Sequence, residues 1–240
     1  AAFNPIFNSA ASSTGDGLTM AGKVGAQIFE SDGMQLQYVD FNTGETGSTA
    51  SGLVVDMQGN RLANEHSYQS VSAEAFKRGN NAVNYYITAT RDGVCAESYP
   101  TVQYGVTLEN AVKASSLNEL AALIKADPET LKATVARYNE LCEKGTDDDF
   151  GKPSDYLIPV EGDTYYAFAR YPVAAATFGG LVIDETGHVL NQENQAISGL
   201  YAAGEVALTG VFANVYPSCG LAIGNSIHMA RNAAAAACGE

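Results

Sequence analysis

Basic residues are scarce in this sequence. Its 240 residues include 13 lysines and arginines against 27 aspartates and glutamates, which gives a formal net charge of −14 at pH 7. Proteins that bind nucleic acids neutralise phosphates with clustered lysine and arginine, and anionic membrane surfaces attract the same side chains. The charge balance therefore argues against nucleic acids and acidic lipid surfaces as partners, and it favours solubility.

Long apolar runs and paired cysteines are also missing. No segment approaches the roughly 20 apolar residues of a transmembrane helix, so no membrane span is predicted. No cationic segment followed by an apolar stretch opens the chain, so the sequence shows no signal peptide and leaves the cellular compartment open. The cysteines Cys95, Cys142, Cys219 and Cys238 form no CxxC pair, so neither a zinc site nor a disulfide framework is predicted.

Common catalytic signatures are absent as well. His66, His188 and His228 are far apart and show no metal-ligand spacing. The sequence has no G-x-S-x-G nucleophile elbow and no P-loop. Gly15-Asp16-Gly17 begins like a dinucleotide-binding fingerprint, but Met20 stands at the third glycine position and no buried strand precedes the segment. We interpret the segment as a helix-opening turn that brings backbone N–H groups near a cofactor.

The pattern of apolar residues predicts a mixture of helices and strands. Ser116 and Glu119 form a capping box ahead of one helix, and Asp127-Pro128 begins another that stops at Gly145. Further helices are predicted at residues 18–26 and 221–237. Strands are predicted at residues 35–40, 53–57, 181–184 and 188–190. The order indicates an α+β chain, with a helical insert between two stretches of one nucleotide-binding layer.

Three short segments near the C-terminus carry groups suited to a cofactor site. Glu205 ends an apolar strand, where its carboxylate can accept hydrogen bonds from ribityl or ribose hydroxyls; the alternative is an exposed turn glutamate. Gly220 opens a helix whose free N–H groups would face a bound group, or which is simply a close-packed helix start. Tyr216 lies four residues earlier, so its hydroxyl and the Gly220 N–H could point at one carbonyl oxygen. The alternative for Tyr216 is a core tyrosine with a satisfied hydroxyl.

In this order, the segments resemble the flavoprotein family of soluble fumarate reductases, urocanate reductases and 3-ketosteroid dehydrogenases. The matching segments cover nearly the whole chain: residues 14–17 with 20–21, 59–65, 134–139, 149–151, 177–184 and 199–205. The resemblance implies an α/β, Rossmann-like FAD-binding domain interrupted by an α+β capping domain, with the active site between them. Residues 1–36 and 173–240 would belong to the partial FAD-binding domain, and residues 37–172 to the cap.

The resemblance also implies partners. The family's GxGxxG unit, which holds the ADP moiety of FAD, should precede residue 1. The chain is therefore expected to be the C-terminal half of a flavoprotein, with an N-terminal half supplied by the same gene or by a second chain. An electron donor or acceptor of unknown identity is implied too.

The sequence departs from the fumarate reductases at the residues that bind dicarboxylates. In that branch, histidines and arginines hold the substrate, and an arginine after the cap's Asn-Glu donates the proton. Here the first histidine position holds Asn42, the second holds Ala175 or Ala176, and no arginine follows closely after Glu65. The later arginine position falls within residues 215–217, which contain none. Two carboxylates are poorly held without guanidinium groups, so we reject fumarate as the substrate.

Apart from these dicarboxylate-binding positions, the sequence is similar to the ketosteroid dehydrogenase branch. There, a Tyr-Pro-x-x-Gly segment directs a hydroxyl and an N–H at the substrate carbonyl, and Tyr216 and Gly220 match it. A tyrosine after Asn-Glu handles the proton, and Tyr68 is the nearest match. The resemblance thus implies hydride transfer, in either direction, between flavin N5 and the β-carbon of a small enone or related molecule. The implied flavin contacts are Gly15, Asp16, Gly204, Glu205, Leu221, Ala222 and Ile223.

Two other interpretations stay open at this point. The chain could be catalytically inert, a folded cap with an incomplete cofactor domain. It could also be a urocanate-type carboxylate reductase, which would require an arginine to reach the substrate. Arg61, Arg91 and Arg170 are the candidates for that arginine.

Overall fold

The computed structural model describes residues 9–40, 52–78, 83–91, 94–95, 111–208 and 220–239. The chain divides into two compact units. We call Leu36–Val173 the middle unit, and the described residues 9–35 and 174–239 the terminal unit. The predicted roles of cap and FAD-binding domain for segments of this chain stay predictions.

Helices and strands alternate along the chain. The helices are α1 (Asp16–Lys23), α2 (Tyr68–Arg78), α3 (Leu117–Ile124), α4 (Pro128–Lys144) and α5 (Leu221–Cys238). The strands are β1 (Ile28–Asp40), β2 (Leu53–Val55), β3 (Asn84–Arg91), β4 (Val94–Cys95), β5 (Val112–Ala114), β6 (Thr164–Leu181), β7 (His188–Leu190), β8 (Ala196–Tyr201) and β9 (Ala207–Leu208). Short 3₁₀ turns lie at Ser154–Tyr156 and Gly204–Val206. In the part of the chain that is described, no helix has the length and apolar character needed to cross a membrane.

An antiparallel sheet forms the centre of the middle unit. Its central strands are ordered β6-β3-β2, β4 pairs with β3, and β5 pairs with β6. Val54 of β2 pairs with Tyr86 of β3, which pairs with Phe168 of β6, so one buried row crosses three strands. Because successive side chains alternate between faces, this register assigns every residue of the three strands to one side of the sheet.

Helices cover both faces of this sheet. On one face, Leu53 and Ile87 pack in a cluster with Leu120 of α3 and Leu131 of α4. On the other face, the row that contains Val54 packs in a second cluster with Val71 and Ala75 of α2. The prediction of a helical insert was therefore incomplete. Strand β6 is buried along much of both faces, so it lacks the polar alternation by which a strand is read from sequence.

The two best-signalled helices have the predicted ends. The Ser116 hydroxyl accepts from the Glu119 N–H at 3.2 Å, and the Asp127 carboxylate accepts from the Thr130 N–H at 2.7 Å. The Glu119 side chain returns to the Ser115 N–H at 2.8 Å, one residue before the position expected of a capping box. The buried residues of α4 recur at helical spacing, which gives the helix one apolar face: Leu131, Val135, Tyr138 and Leu141.

The terminal unit is built from α1, α5 and the β7-β8 hairpin. Its core joins Ala21 of α1 with Leu181, Val189 and Ala202. The strand predicted at residues 181–184 is present only in part. Strand β6 ends at Leu181, and the described residues continue the pairing with an isolated bridge from Ile183 to Val189.

Candidate functional site

The start of α1 packs beside the turn that carries Glu205. Gly15 precedes α1 in the left-handed conformation, with φ 77°. A Cβ added at Gly17 would lie 3.1 Å from Val206 Cγ2, so α1 approaches that turn as closely as its glycine allows. The Asp16 carboxylate lies in the first turn of α1 and accepts from the Thr14 hydroxyl at 3.0 Å.

The N-terminal part of α5 also packs against this turn. Gly204 has φ 76°, and a Cβ added there would lie 3.7 Å from the Ser226 hydroxyl of α5. Gly220 precedes α5 with φ 78°, and no side chain caps the first turn of the helix. Three predicted segments, at residues 15–16, 204–205 and 220–223, therefore belong to elements that meet within the terminal unit.

Within these segments the side chains have different surroundings. Glu205 is exposed, and Ile223 is 70% exposed. Leu221 and Ala222 pack against Phe178 of β6. Added Cβ atoms at Gly15 and Gly220 would meet no atom of the described residues within 4 Å, so that part of the chain does not cover the backbone at either helix start.

The two predicted catalytic tyrosines are only partly covered by the structure. Tyr216 lies outside the described residues, as do Asn42 and residues 215–217. Tyr68 is the first residue of α2, and its backbone is described although its side chain is not. The structure therefore gives the position of the Tyr68 backbone, at the start of α2 in the middle unit.

A cluster of buried charges, which was not predicted from the sequence, lies in the middle unit. Arg61 donates through Nε and Nη2 to the two Glu65 carboxylate oxygens at 2.9 and 2.8 Å. Its Nη1 and Nη2 donate to the Asp147 carboxylate at 3.0 and 2.8 Å. Two bidentate contacts fix the plane of the guanidinium as well as its charge.

Lys152 completes this buried ion cluster, which consists of Arg61, Glu65, Asp147 and Lys152. The Lys152 Nζ donates to the Gly52 carbonyl and to the Tyr138 hydroxyl, both at 2.7 Å, and lies 3.5 Å from Glu65 Oε2. The cluster holds two cations and two carboxylates, so its formal charges cancel. That balance and the dense hydrogen bonding are what allow ionised groups to persist away from water.

The surroundings shift the pKa values in the cluster. Burial by itself would raise the pKa of Asp147, but hydrogen bonds from Arg61 and from the Lys152 N–H outweigh it and bring the pKa to about 2. Burial lowers the pKa of Lys152, partly opposed by Glu65. Burial raises the pKa of Tyr138, and it raises that of Cys142, one turn further along α4, to about 11. Asp147 is thus held as a carboxylate at neutral pH.

The cluster supports the segment that leads into Tyr68. The Asn64 side-chain amide donates to the Gly151 carbonyl at 3.0 Å. Ser67 is the residue directly before α2, and its hydroxyl accepts from the Ser70 N–H at 3.2 Å, which caps the helix. Residues 59–65, 134–139 and 149–151, which are three separate matches in the sequence, therefore contact one another around Arg61, and the first of them lies shortly before α2 in the chain.

The three arginines that were candidates for contacting a substrate carboxylate differ in their surroundings. Arg61 is engaged by the ion cluster, and the side chain of Arg91 lies outside the described residues. Arg170 of β6 is 2% exposed, and its Nε and Nη1 have no hydrogen-bond partner among the described residues. Ala175 and Ala176, at the expected histidine position, are half-buried in the same strand.

A pocket of about 820 Å³ lies in the terminal unit between residues 183–187 and α5. Its lining includes His228 and Asn232, and Asn232 donates to the Glu185 carbonyl at 3.1 Å. None of the predicted flavin contacts lines it. The pocket therefore stands apart from the predicted cofactor segments.

Comparison with known proteins places the chain in a family. Residues 1–223 match the model of the FAD binding domain family. The chain belongs to this family, which assigns FAD as its cofactor and confirms the predicted cofactor and flavoprotein relationship. The mixed α/β architecture also agrees with the fold class predicted from the sequence.

Relatives and solved structures agree with this assignment. The chain is 32% identical over 202 residues to the NADH:acrylate oxidoreductase of Vibrio harveyi, which covers 80% of this chain and 20% of that protein. It is 26% identical to the open conformation of a flavocytochrome c3 fumarate reductase, with a TM-score of 0.75 over 96% of this chain and 41% of that one.

A second structure shows the same fold at lower identity. The 3-ketosteroid delta1-dehydrogenase from Sterolibacterium denitrificans is 22% identical, with a TM-score of 0.76 over 98% of this chain and 49% of that one. The chain thus spans between one fifth and one half of the length of the proteins it matches here. Their names describe oxidoreductases, as the resemblance predicted.

Proposed function

We propose that the protein to which this chain belongs is an FAD-dependent oxidoreductase acting on a C–C bond adjacent to a carbonyl group. The observation that supports this most directly is the meeting of α1, α5 and the Glu205 turn within the terminal unit. Two helix starts with uncapped backbone and one exposed carboxylate are a donor and acceptor set that suits a flavin nucleotide.

The chain's residues have separate tasks in holding the cofactor. Backbone N–H groups at the start of α5, next to Leu221, Ala222 and Ile223, favour negative charge because of the helix dipole. Glu205 and Gly204 bind the ribityl or ribose hydroxyls, and Gly15 and Asp16 contact the cofactor from α1. When bound, FAD supplies the N5 atom that donates or accepts a hydride.

The substrate carbonyl is polarised by the Tyr216 hydroxyl and the Gly220 N–H. In the reductive direction Tyr68 would donate the proton that the α-carbon of the substrate accepts, and in dehydrogenation it would accept that proton. Donors directed at a developing enolate oxygen typically contribute about 3–4 kcal/mol of transition-state stabilisation, so each matters to the rate.

Fumarate does not fit this site as a substrate. Alanines stand at the expected second histidine position, and two cations of the middle unit, Arg61 and Lys152, are already committed to Glu65 and Asp147. These side chains are therefore unavailable to a dicarboxylate. A substrate with at most one carboxylate is consistent with the residues present.

The experiment that tests the reaction compares Tyr216→Phe with Tyr201→Phe in the full-length protein. Tyr201 stacks on His188 in the hairpin, with ring centroids 4.5 Å apart, and serves as the matched control. We expect Tyr216→Phe to lower kcat for cyclohexenone reduction by roughly 100-fold or more, as for loss of an oxyanion donor, and Tyr201→Phe to leave it nearly unchanged. Equal rates for wild type and Tyr216→Phe would contradict the assigned role.

The N-terminal half is the second part of the proposal. We expect the isolated chain to show little flavin absorbance between about 300 and 550 nm after desalting, because the ADP moiety is held elsewhere. Adding the N-terminal half should give a stable yellow complex. Tight FAD binding by the isolated chain, with no second polypeptide in its mass spectrum, would contradict this part of the proposal without affecting the reaction.

A further inference from the structure

The entry segment, which we define as residues 64–67, leads directly into α2, whose first residue is Tyr68. The Asn64 side-chain amide donates to the Gly151 carbonyl at 3.0 Å, and its side-chain oxygen accepts from the His66 N–H at 3.0 Å. Surface segments between helices and strands are usually mobile, so these bonds restrict the path of the backbone just ahead of α2.

The His66 side chain ties the entry segment to a second point of the middle unit. Its ring lies against that of Tyr156, with ring centroids 4.3 Å apart and planes inclined by 39°. Tyr156 ends the 3₁₀ turn Ser154–Tyr156, where its N–H donates to the Pro153 carbonyl at 3.0 Å. His66 is exposed and Tyr156 is half-buried. The pair is therefore a surface contact that holds the entry segment without belonging to the core.

The part of the chain that receives these contacts is itself anchored. The Gly151 N–H donates to the Asp147 carbonyl at 3.0 Å, and the Lys152 N–H donates to the Asp147 carboxylate at 2.9 Å. The Lys152 side chain belongs to the buried ion cluster. Asn64 and His66 therefore attach the start of α2 to residues whose position is set by buried charges.

Glu65 lies between these two residues and has a different environment. It is 0% exposed, and its carboxylate accepts from Arg61 and, at 3.3 Å, from the Val54 N–H. Removing Glu65 would leave buried cations without a partner, so its substitution would test folding. The exposed ring of His66 can be removed without opening the core. The role of the entry segment in the reaction is therefore best tested at His66.

We propose that His66 is a positioning residue for Tyr68, acting through its ring contact with Tyr156. This inference rests on the proposed function for one point, that Tyr68 exchanges a proton with the substrate. A proton donor has to reach the reacting atom within hydrogen-bond distance, and a displacement of about 1 Å can lower the rate roughly 100-fold. The ring contact fixes the backbone two residues before Tyr68, so it limits such a displacement.

The test measures kcat and KM for cyclohexenone reduction by the full-length protein. His66→Ala and Tyr156→Ala should each lower kcat by roughly tenfold, because the donor is less well placed. Each should change KM by less than about twofold, since neither residue is assigned a contact with the substrate. His66→Phe keeps an aromatic ring on Tyr156 and should retain at least about half of the wild-type kcat.

The chain offers a matched control for the ring contact. His188 lies against Tyr201 in the β7-β8 hairpin, with ring centroids 4.5 Å apart and planes inclined by 40°. His188→Ala therefore removes the same kind of contact at a place outside the entry segment, and it should leave kcat nearly unchanged.

Hydrogen exchange gives a readout that does not depend on the reaction. The Val71 N–H donates to the Ser67 carbonyl at 3.1 Å, across the first turn of α2. His66→Ala should speed the exchange of this amide by roughly tenfold, because the segment ahead of the helix is less restrained. His66→Phe should exchange at the wild-type rate. Unchanged exchange in α4 would show that the effect is local and that the variant is folded.

The outcomes separate this proposal from the proposed reaction. Provided that Tyr68→Phe abolishes turnover, a wild-type kcat in His66→Ala would overturn the positioning role. A kcat as low in His66→Phe as in His66→Ala would also overturn it, since the imidazole rather than the ring contact would then be needed. Losses that add up in the double variant of His66 and Tyr156 would contradict a shared contact.

The proposed reaction can fail by itself. If Tyr68→Phe keeps the wild-type rate, or if the wild type leaves cyclohexenone unreduced, the proton role of Tyr68 fails. The exchange of the Val71 amide then decides whether His66 holds the start of α2. Unchanged exchange in His66→Ala would overturn the inference in that case as well.

Discussion

The middle and terminal units differ in how completely they bury their apolar side chains. Among the described residues, the large apolar side chains that stay exposed in the middle unit are Met57, Leu123 and Phe150. In the smaller terminal unit they are Met20, Val24, Ile28, Phe29, Ile223 and Ile227. The middle unit contains two hydrophobic cores and the buried ion cluster, and its own residues form all three. The terminal unit presents apolar surface on α1, β1 and α5, which suits the proposal that an N-terminal half packs against it.

Removing Arg61 gives the largest expected effect and tests whether the middle unit depends on its ion cluster. Arg61→Leu would leave Glu65 and Asp147 fully buried without their guanidinium, which typically costs about 3–5 kcal/mol of unfolding free energy. Urea unfolding measures this change. Arg137→Leu is the control, since its ion pairs are exposed and should contribute at most about 1 kcal/mol. Equal losses of unfolding free energy in the two variants would show that the buried cluster contributes no more to stability than the exposed ion pairs of Arg137.

Cysteine reactivity should differ sharply between the units. Burial raises the pKa of Cys142 in α4 to about 11, whereas Cys238 at the end of α5 is exposed. At pH 8 the thiolate fraction of Cys142 is then more than about 100-fold below that of an ordinary cysteine, and alkylation slows accordingly. Peptide mapping after a timed iodoacetamide pulse should find Cys238 modified first. Comparable labelling of Cys142 in the native protein would mean that local unfolding readily exposes the packed face of α4 to solvent.

Acid should weaken the middle unit through Asp147. Its pKa of about 2 lies below the ordinary value of 3.8, so its contribution to stability is fully present above about pH 4 and is lost as the pH falls towards 2. The loss is on the order of 2 kcal/mol. Asp147→Asn should be less stable at pH 7 and should flatten this part of the pH profile. An unchanged profile would show that other carboxylates govern the acid transition.

The smallest expected effect concerns the exposed surface of the terminal unit. Ile227 is 58% exposed, so Ile227→Ser should change the stability of the isolated chain by no more than about 0.5 kcal/mol. Leu181→Ala, in the core of the same unit, should cost about 2–5 kcal/mol. With the N-terminal half present, Ile227→Ser should weaken association of the two polypeptides, measured by titration. A large loss in the isolated chain would mean that Ile227 is already buried by this chain.

The helices of the middle unit were predictable because their signals are local. Ser116, Asp127 and Gly145 act within one turn of the helices they begin or end, and the spacing of Leu131 and Tyr138 follows directly from the helical period. Strand β6 was not predicted, since a strand covered on both faces loses the alternation that marks it. Its partners β3 and β5 lie distant in sequence, and pairing at such separation leaves no local signal.

The sequence alone determined the family and the cofactor class, because each matching segment keeps its glycines and carboxylate in a fixed local order; the flavin contacts it assigns to those segments stay predictions. Only the tertiary structure decided which charged groups meet. Asp147 and Lys152 follow α4 in the chain, and the fold places them against Arg61 and Glu65, more than 80 positions away along the chain. The same folding buries Nε and Nη1 of Arg170 with no hydrogen-bond partner in the described part of the chain, since pairing depends on distance in space, which no single stretch of sequence records.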